Sequence, residues 1–277
     1  MSETKTQLIF LGTGTPNADP HRLGPAAAVV VNGNSYLVDC GAGVVRQASA
    51  TGIDALKMQG LTHLFITHLH SDHVLGYADL ILTPAVTGRE EALRVWGPPG
   101  TQNMTNHLLA AYAEDIDVRL HGGEPAIPGA YEVAVNEYKA GEIYKDDDVR
   151  VTAFEVTHGK WKHAYGLRFE TKDRSIVFSG DTTYCENLIE NARGCDVLVH
   201  EVCSATGLSK RTPEWQAYHS SYHTRGPDVG RVASLVKPKL LLLYHMLPFG
   251  ETEESVLEEV RSTYEGEIRI ANDLDVI

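Results

Sequence analysis

Thr67-His68-Leu69-His70-Ser71-Asp72-His73 carries the strongest chemical signal in this 277-residue chain. It places three imidazoles and one carboxylate within six consecutive positions, directly after the apolar, β-prone run 63–67. Successive side chains of an extended chain alternate, so His68 and His70 can turn the same way. Neutral imidazole and carboxylate are ligands for zinc, iron and manganese, and no cysteine is near enough in sequence to form a closed structural zinc site. The stretch therefore predicts a metal site, against the alternative of a solvated loop with surface histidines.

A helix is predicted to begin at Asp72 and His73, because apolar residues follow at helical spacing. An acidic residue such as Asp72 is also favourable at the start of a helix. The predicted apolar stripe consists of Val74, Leu75, Tyr77, Ala78, Leu80, Ile81 and Leu82.

The composition limits the class of protein. A chain with 43% hydrophobic residues can bury a substantial core, and we expect a single domain over residues 1–277. A net charge of −13 disfavours a surface that gathers long polyanions, although a small anionic substrate at a metal centre is still compatible. Four cysteines without paired spacing predict reduced thiols rather than disulfides.

The sequence also bears on location. No apolar run is long enough for a membrane span, and residues 1–7 lack the apolar segment of a leader. We expect a cytoplasmic protein that does not associate with membranes, although a chain trimmed of its leader would look the same.

The N-terminal third predicts strands and one acidic residue of interest. A buried strand over 7–11 is followed by a Gly- and Pro-rich loop over 12–16, and a hairpin is predicted for 26–39 around Asn32-Gly33-Asn34. Asp39 closes that hairpin. It is either a cap for a helix over 44–50 or a carboxylate that orients a ligand histidine, and we favour the second role.

The middle of the chain is less regular in pattern. A strand is predicted over 93–96, a break over 97–100 and a helix over 101–113. Residues 114–148 are expected to be irregular, with a solvated turn at Asp146, Asp147 and Asp148.

In the second half, four predicted apolar strands each lead to a histidine or an acidic residue. They are predicted over 149–156, 175–179, 196–199 and 239–244, and they lead to His158, Asp181, His200 with Glu201, and His245. One such end would usually be structural. Four of them, in addition to the cluster at 68–73, predict a shared metal site.

Counting ligands points to two ions. His68, His70 and His158 would hold one ion, while Asp72, His73 and His245 would hold the second. Asp181 can bridge the ions, because a carboxylate has two oxygens. Two divalent ions, with zinc favoured and manganese or iron as alternatives, would lower the pKa of a shared water and predict hydrolysis by hydroxide attack.

The chain resembles the metallo-β-lactamase superfamily hydrolases, and within them the ribonuclease Z and arylsulfatase-like branches. The resemblance is carried by residues 10–16, 38–41, 67–73, 158–159, 179–182, 200–201, 223–224 and 245. It implies an α/β (α+β) fold, a four-layer αββα sandwich with a dinuclear site at its edge, and the ligand set given above.

The resemblance also implies roles for other residues. Asp72 would be both ligand and proton acceptor, and His223, helped by Glu201, would steady the oxyanion or protonate the leaving group. His219 lies four residues before His223, so on a helix either histidine could point inward. His200 is expected to be structural, and His21, His63, His107, His121 and His163 are read as ordinary surface or core residues.

The choice of substrate depends on a missing segment. The resemblance would require a tRNA-gripping arm between His158 and Asp181 in a ribonuclease Z, and the 181 − 158 = 23 positions available are used by one hairpin. This interval and the acidic charge rank tRNA 3′ processing, and nucleic acid in general, below small ester substrates such as aryl sulfates, phosphodiesters or phosphotriesters.

Three further expectations complete the sequence reading. Residues 205–222 are expected to form a long loop that serves as lid, pocket wall or oligomer contact, with Trp215, Tyr218, His219 and Tyr222 as pocket candidates; the alternative is an ordinary surface loop with a few packed aromatic residues. A lactonase or β-lactamase-like carbonyl hydrolase is the alternative enzyme, and a non-catalytic scaffold is disfavoured by the intact ligand set. The resemblance also implies a homodimer.

Overall fold

The structure is a computed structural model that describes residues 5–277. By its internal contacts the chain divides into two compact units. Unit 1 comprises Met1–Gly12, Pro16–Tyr138 and Asp273–Ile277, and unit 2 comprises Thr13–Thr15 and Lys139–Asn272. Each unit is built on one sheet with helices, which confirms the predicted mixed α/β class. The expectation of one domain over 1–277 stays a prediction.

Unit 1 contains a six-stranded sheet in the order β1-β2-β3-β4-β5-β6. Its strands are β1 (Gln7–Gly12), β2 (Ala26–Val31), β3 (Asn34–Val38), β4 (His63–Phe65), β5 (Leu93–Gly97) and β6 (Val133–Glu137). The first three strands pair antiparallel, and β3 to β6 pair parallel. The predicted hairpin is confirmed: Asn32 and Gly33 both have positive φ, as a two-residue turn of this kind requires.

Parallel strands need crossover connections, and in unit 1 these contain the helices. They are α1 (Val44–Ala50), α2 (Ser71–Val74), α3 (Tyr77–Thr87), α4 (Thr101–Ala111) and α5 (Ala113–His121), with 3₁₀ turns at Asp54–Leu56, Met58–Gly60 and Pro128–Tyr131. The core of the unit is aliphatic and includes Leu37, Leu64, Val95, Leu80 and Ile81.

The segment 273–277 returns to the first strand of unit 1. Leu8 and Ile277 exchange two backbone hydrogen bonds of 3.1 and 2.9 Å, and the Phe10 amide donates to the Asp275 carbonyl at 3.0 Å. The carboxylate of Asp273 accepts from the Leu23 amide at 2.8 Å and from the Gln47 side chain at 3.0 Å. These contacts cover the outer edge of β1.

Unit 2 contains a seven-stranded sheet in the order β13-β12-β11-β10-β9-β8-β7. Its strands are β7 (Gly141–Lys145), β8 (Arg150–Glu155), β9 (Tyr165–Glu170), β10 (Ser175–Phe178), β11 (Val197–Cys203), β12 (Leu240–Leu247) and β13 (Ile268–Ile270). Its helices are α6 (Glu186–Ala192), α7 (Ala205–Ser209), α8 (Pro213–Tyr222), α9 (Gly226–Val236) and α10 (Glu253–Arg261). Strands β7 to β10 pair antiparallel, and β10 to β13 pair parallel.

The single helix predicted from Asp72 onward is wrong in one respect, because it is broken into α2 and α3 at Gly76. The Gly76 amide donates to the Cys40 carbonyl at 2.8 Å. A Cβ on Gly76 would lie 2.3 Å from the Gly41 carbonyl oxygen. The chain therefore turns here because only a glycine allows this close backbone approach.

Two of the four strands predicted to end in a functional residue continue past it. Strand β11 contains His200 and Glu201, and β12 contains His245. Glu201 lies opposite Tyr244 and Val202 lies opposite Met246, so His245 is an extra residue in a β-bulge, with a φ of 46°. The apolar pattern hid this bulge, because one extra residue does not interrupt a hydrophobic run.

Two regions expected to be irregular are ordered. Residues 205–222 form α7 and α8 rather than a long loop: Ser204 caps α7 by accepting from the Gly207 amide, and Pro213 stands at the first position of α8. The region 114–148 contains most of α5 and strands β6 and β7. Asp146 does form a turn, accepting the amides of Asp148 and Val149.

Two further expectations can be compared with the structure. All four cysteines are buried and free, as the absence of paired spacing predicted. Among the helices of residues 5–277, none combines the length and the apolar character needed to cross a membrane.

Candidate metal centre

Unit 1 contributes its candidate ligands from the loop and short helix that follow β4. His68 is fully buried, and its Nε2 lies 3.1 Å from the Nδ1 of His70. Two nitrogens bound to one zinc at about 2.0–2.1 Å are themselves separated by about 3 Å. The pair is therefore spaced as two ligands of one ion.

A buried hydrogen-bond network fixes the direction of two of these imidazoles. The Thr67 hydroxyl donates to the Asp39 carboxylate, and it lies 3.1 Å from the Nδ1 of His68. The Nδ1 of His73 donates to Asp39 at 2.8 Å. With Nδ1 of each ring engaged as a donor, the Nε2 atoms of His68 and His73 carry the lone pairs that a metal needs.

Asp39 was predicted either to cap α1 or to orient a ligand histidine, and the structure places it against His73. Helix α1 begins after Gly43 without a side-chain cap. Asp39 itself has a φ of 57°, a conformation that Asp tolerates better than most residues. This backbone turn aims the carboxylate at Thr67 and His73.

Asp72 and His73 lie in α2 and are both buried. The Oδ2 of Asp72 is 3.6 Å from the Nε2 of His73, beyond a normal hydrogen bond and suited to two ligands of one ion. Unit 1 thus offers three imidazoles and one carboxylate, which are the four donors that the sequence predicted from this stretch.

Unit 2 contributes a second set arranged around Asp181. The Oδ2 of Asp181 lies 3.9 Å from the Nε2 of His158 and 3.8 Å from the Nε2 of His245. All three residues are at most 3% exposed. A carboxylate placed between two imidazoles in this way could serve with them as a metal ligand.

The orientation of His158 is set by the end of α8. Its Nδ1 donates to the Tyr222 carbonyl at 2.7 Å, and its ring stands edge-on to the Tyr222 ring at 4.9 Å between centroids. In a neutral ring this bond leaves the lone pair on the Nε2 that faces Asp181, where a metal could bind it. Sequence reasoning did not assign this role to Tyr222, since a backbone carbonyl leaves no signal in the side-chain pattern.

The β-bulge of unit 2 aims His245. Because an extra residue bends its strand, a bulge re-directs one side chain relative to the regular alternation. Here it brings His245 towards Asp181 and places its ring 6.0 Å from that of His223. The ligand atoms of Asp181, His223 and His245 all lie within 4.8 Å of one another, a spacing that could hold a metal ion.

His223 is paired with a buried carboxylate. Its Nδ1 lies 3.4 Å from the Oε1 of Glu201, which also accepts the backbone amides of Thr182 and Thr224 at 3.2 and 3.0 Å. Burial, and then the charge of Asp181, raise the pKa of Glu201, while these hydrogen bonds act in the opposite direction. Glu201 thus links His223 to the loops that follow β10 and α8.

Of the two histidines on α8 and its end, His223 is the one beside Asp181 and His245. His219 stacks on Trp215 at 5.4 Å and contacts Phe249 at 4.6 Å, and burial lowers its pKa to about 4. His200 is fully buried and donates from Nδ1 to the Glu201 carbonyl, and burial lowers its pKa to about 4. Neither residue belongs to the clusters of candidate metal ligands found among the described residues.

The predicted pocket residues lie on α8 and form an aromatic surface. Tyr218 and Tyr222 stack at 4.4 Å, and Trp215 stands edge-on to Tyr218 at 5.7 Å. Tyr218 and Tyr222 line a cavity of about 740 Å³ together with Gly159 and Lys160. Sequence reasoning missed the last two residues, which follow the ligand His158 directly in the chain.

The donor set fits divalent metal ions. Each unit supplies buried imidazoles and carboxylates, and none of the four buried cysteines is among these donors. Imidazole with carboxylate suits zinc, manganese and iron, whereas a thiolate-rich set would favour structural zinc.

Comparison with known proteins agrees with this chemistry. A family model described as "Beta-lactamase superfamily domain" matches residues 34–246. The protein named ribonuclease Z of Mycobacterium bovis (strain BCG / Pasteur 1173P2) is 32% identical over 274 residues, which cover 97% of this chain and 96% of that protein.

Solved structures share the fold at lower identity. The metallo-β-lactamase fold protein YhfI from Bacillus subtilis matches with a TM-score of 0.76 and 17% identity, covering 99% of both chains. Human tRNase Z, short form, matches with a TM-score of 0.74 and 21% identity, covering 98% of both chains. The extent of these matches, together with the family model, shows that this chain belongs to the metallo-β-lactamase superfamily, as a metal-dependent hydrolase with ribonuclease Z relatives.

Proposed function

We propose that this protein is a dinuclear metal-dependent phosphodiesterase that acts on small ester substrates. The observation that carries the proposal is the arrangement in unit 2. There Asp181 lies between the imidazoles of His158 and His245, and the nearby His223 ring is paired with the buried Glu201 carboxylate. Metal ligands and an adjacent oriented imidazole are the two requirements for cleaving a stable ester.

We propose that the seven side chains predicted from the sequence hold two divalent ions. They are His68, His70 and His158 for one ion, Asp72, His73 and His245 for the other, and Asp181 as the bridge. Two divalent ions, with zinc favoured over manganese and iron, would supply Lewis acidity and a water that ionises near neutral pH.

The remaining groups would manage protons and charge. His223 would donate a proton to the leaving oxygen, or a hydrogen bond to the developing oxyanion, from a ring held by Glu201. Asp72, as ligand and carboxylate, would accept a proton from the attacking water. Asp39 would not bind the metal itself. It would hold His73, through the bond to Nδ1, in the tautomer whose Nε2 is free to bind a metal.

The relatives make phosphodiesters the favoured ester class. Proteins named ribonuclease Z and tRNase Z cleave phosphodiester bonds by their names, and no comparison supports aryl sulfates in particular. The short interval between His158 and Asp181 does not separate this chain from the ribonuclease Z relatives. The alignment with the mycobacterial ribonuclease Z covers 96% of that protein, so little of its chain lies outside the match.

A tRNA 3′-processing endonuclease is therefore the second candidate. The 32% identity to a ribonuclease Z over 97% of this chain favours it and conflicts with the expectation of no nucleic acid. The net charge of −13 opposes it, because binding a polyanion depends on many Lys and Arg contacts to phosphates. We rank small phosphodiesters first. We also propose a homodimer, on the resemblance alone, and a cytoplasmic location, on the sequence pattern.

A substrate panel tests both candidates. The protein is loaded separately with zinc and manganese and assayed on thymidine 5′-(4-nitrophenyl) phosphate, an aryl sulfate, a lactone, a β-lactam and a precursor tRNA. We expect the phosphodiester to be hydrolysed fastest. If the lactone or the β-lactam is the best substrate, the proposal is wrong, and if the tRNA is, the second candidate replaces the first.

Two variants separate metal binding from proton transfer. Asp181→Ala should lose both bound metal, measured by elemental analysis, and turnover. His223→Ala should keep its metal and lose about 10²- to 10⁴-fold in kcat, the usual contribution of a positioned acid. Full turnover in His223→Ala would remove its catalytic role.

A further inference from the structure

The cavity beside α8 lies next to the ligand His158. It has a volume of about 740 Å³, and its lining includes Tyr218 and Tyr222 of α8 together with Thr157, Gly159 and Lys160. Since His158 sits between Thr157 and Gly159 in the chain, the lining includes the segment that carries this candidate ligand. A group bound in the cavity would therefore be close to His158.

The Tyr222 ring is held rigidly at this wall. Gly159 has a φ of 53°, and a Cβ added there would lie 2.1 Å from the Tyr222 Cζ. The Tyr222 hydroxyl accepts the Lys160 amide at 3.3 Å, and its carbonyl accepts from His158. The ring is thus pressed against bare backbone, in a position that no other residue at 159 would allow without displacing it.

Tyr218 stacks on the Tyr222 ring and is the more exposed of the two rings. The Tyr218 and Tyr222 rings are stacked with an interplanar angle of 26°, and Tyr218 is 42% exposed. Trp215, at 54% exposure, stands at 90° to Tyr218 and borders the same surface. Aromatic faces that remain exposed beside a cavity and are supported from behind by another ring are suited to stacking on a planar ligand.

The cavity also has a cationic side. Lys160 lines it and is exposed, together with hydroxyl side chains such as Thr157 and Thr183. In a chain of net charge −13, an exposed lysine in a cavity lined by two stacked rings favours a ligand that joins an aromatic ring to a negative group.

We propose that the cavity beside α8 binds the aromatic ring of an anionic ester substrate, with the ring stacked on Tyr218 and the anionic group near Lys160. The ring can come from a nucleobase or from an aryl group, since both offer a planar π face. This inference rests on the proposed function, because it assigns the substrate class to the same site. It makes Tyr218 a specificity-determining residue.

Equilibrium binding tests the proposal without turnover. The zinc-loaded protein is titrated calorimetrically with uridine monophosphate, phenyl phosphate and ribose 5-phosphate, which carry a nucleobase, an aryl ring and no aromatic ring. We expect both ring-bearing ligands to bind more tightly than ribose 5-phosphate. The ligand with the larger advantage identifies the source of the ring.

Variants of Tyr218 then assign the effect to the ring. Tyr218→Leu should weaken the ring-bearing ligands by about tenfold or more, the usual effect of losing a stacking aromatic, and leave ribose 5-phosphate unchanged. Tyr218→Phe should retain wild-type binding. Lys160→Gln should weaken all three ligands alike.

Tyr112→Leu is the matched control, because Tyr112 is also 42% exposed but lies in unit 1 on the end of α4. It should change none of the three affinities. Equal binding of all three ligands to the wild type overturns the proposal, and so does a Tyr218→Leu variant that shows no preferential loss of the ring-bearing ligands. A protein that shows ring-dependent binding but hydrolyses no phosphodiester contradicts the proposed function only.

Discussion

Several candidate ligands have one ring nitrogen engaged by the protein itself. His73 donates from Nδ1 to Asp39, and His158 donates from Nδ1 to the Tyr222 carbonyl. These bonds fix the tautomer and the direction of the opposite nitrogen. Groups that orient a metal ligand in this way typically contribute 10- to 100-fold to metal affinity. We therefore expect Asp39 and Tyr222 to act as positioning residues.

Asp39→Asn tests this role at the level of one residue. Asn tolerates the positive φ of Asp39, so the backbone turn should survive. Loss of the carboxylate should weaken zinc binding by about 10- to 100-fold, measured by competition with a chromogenic chelator. Asp54→Asn, at an exposed carboxylate paired with Lys57, is the control and should not change zinc affinity. Unaltered zinc affinity in Asp39→Asn would show that His73 does not depend on it.

The lowered pKa of His200 makes the free energy of unfolding depend on pH. Burial lowers its pKa from 6.5 to about 4, so between these values the unfolded chain binds more protons than the folded one. Its contribution is therefore complete above pH 6.5 and is lost as the pH falls to 4, with an upper limit of roughly 3 kcal/mol. In chelator-treated protein, urea unfolding at pH 7 and 4.5 should show a smaller pH dependence for His200→Asn than for the wild type. Identical dependence in both proteins would mean that His200 is protonated in the fold.

At the level of elements, the break between α2 and α3 depends on Gly76. Gly76→Ala should lower the free energy of unfolding by about 1–3 kcal/mol, because its Cβ would meet the Gly41 carbonyl oxygen at 2.3 Å. Gly129→Ala is the control, since the nearest atom to a Cβ there is at an ordinary 3.5 Å. Chemical denaturation of both variants measures the difference, and equal stabilities would contradict the close approach.

The elements also show what sequence patterns predict and what they miss. Hydrophobic runs and the Asn32-Gly33 turn predicted most strands, because those features are local. The bulge at His245 was not predicted, since register is a property of two strands and not of one. Helix α8 was read as a loop although Thr212 and Pro213 are a recognisable helix start. The cavity that its two tyrosines line could not be predicted, because Gly159, which also lines it, is distant in sequence.

The candidate ligands are a different case. His68, His70, Asp72 and His73 are neighbours in sequence, so their spacing alone indicated a metal site. His158, Asp181 and His245 come from three different segments. Their positions at the ends of predicted apolar strands indicated a shared site, and the resemblance of their flanking motifs supported the same ligand set. The hydrogen bonds of Asp39 and Tyr222 that orient the rings required coordinates.

For the whole molecule, the net charge of −13 predicts how salt affects each class of substrate. Between about 50 and 200 mM salt, kcat/KM for the small phosphodiester should change by less than about threefold, because only one phosphate is involved. The precursor tRNA should not show the steep loss, on the order of 10³-fold, that multiple phosphate contacts produce. Filter binding and initial rates measure both. A steep loss with tRNA would reveal a hidden basic surface and favour the endonuclease.

The return of residues 273–277 to β1 has a consequence for biosynthesis. Strand β1 is translated before residues 139–272 of unit 2, while the backbone groups that cover its outer edge, in residues 273–277, are translated after them. A nascent chain that has reached residue 272 therefore still exposes the edge of β1. During that interval the edge is open to strands of other nascent chains, and a chaperone that shields it would be most useful before residues 273–277 emerge.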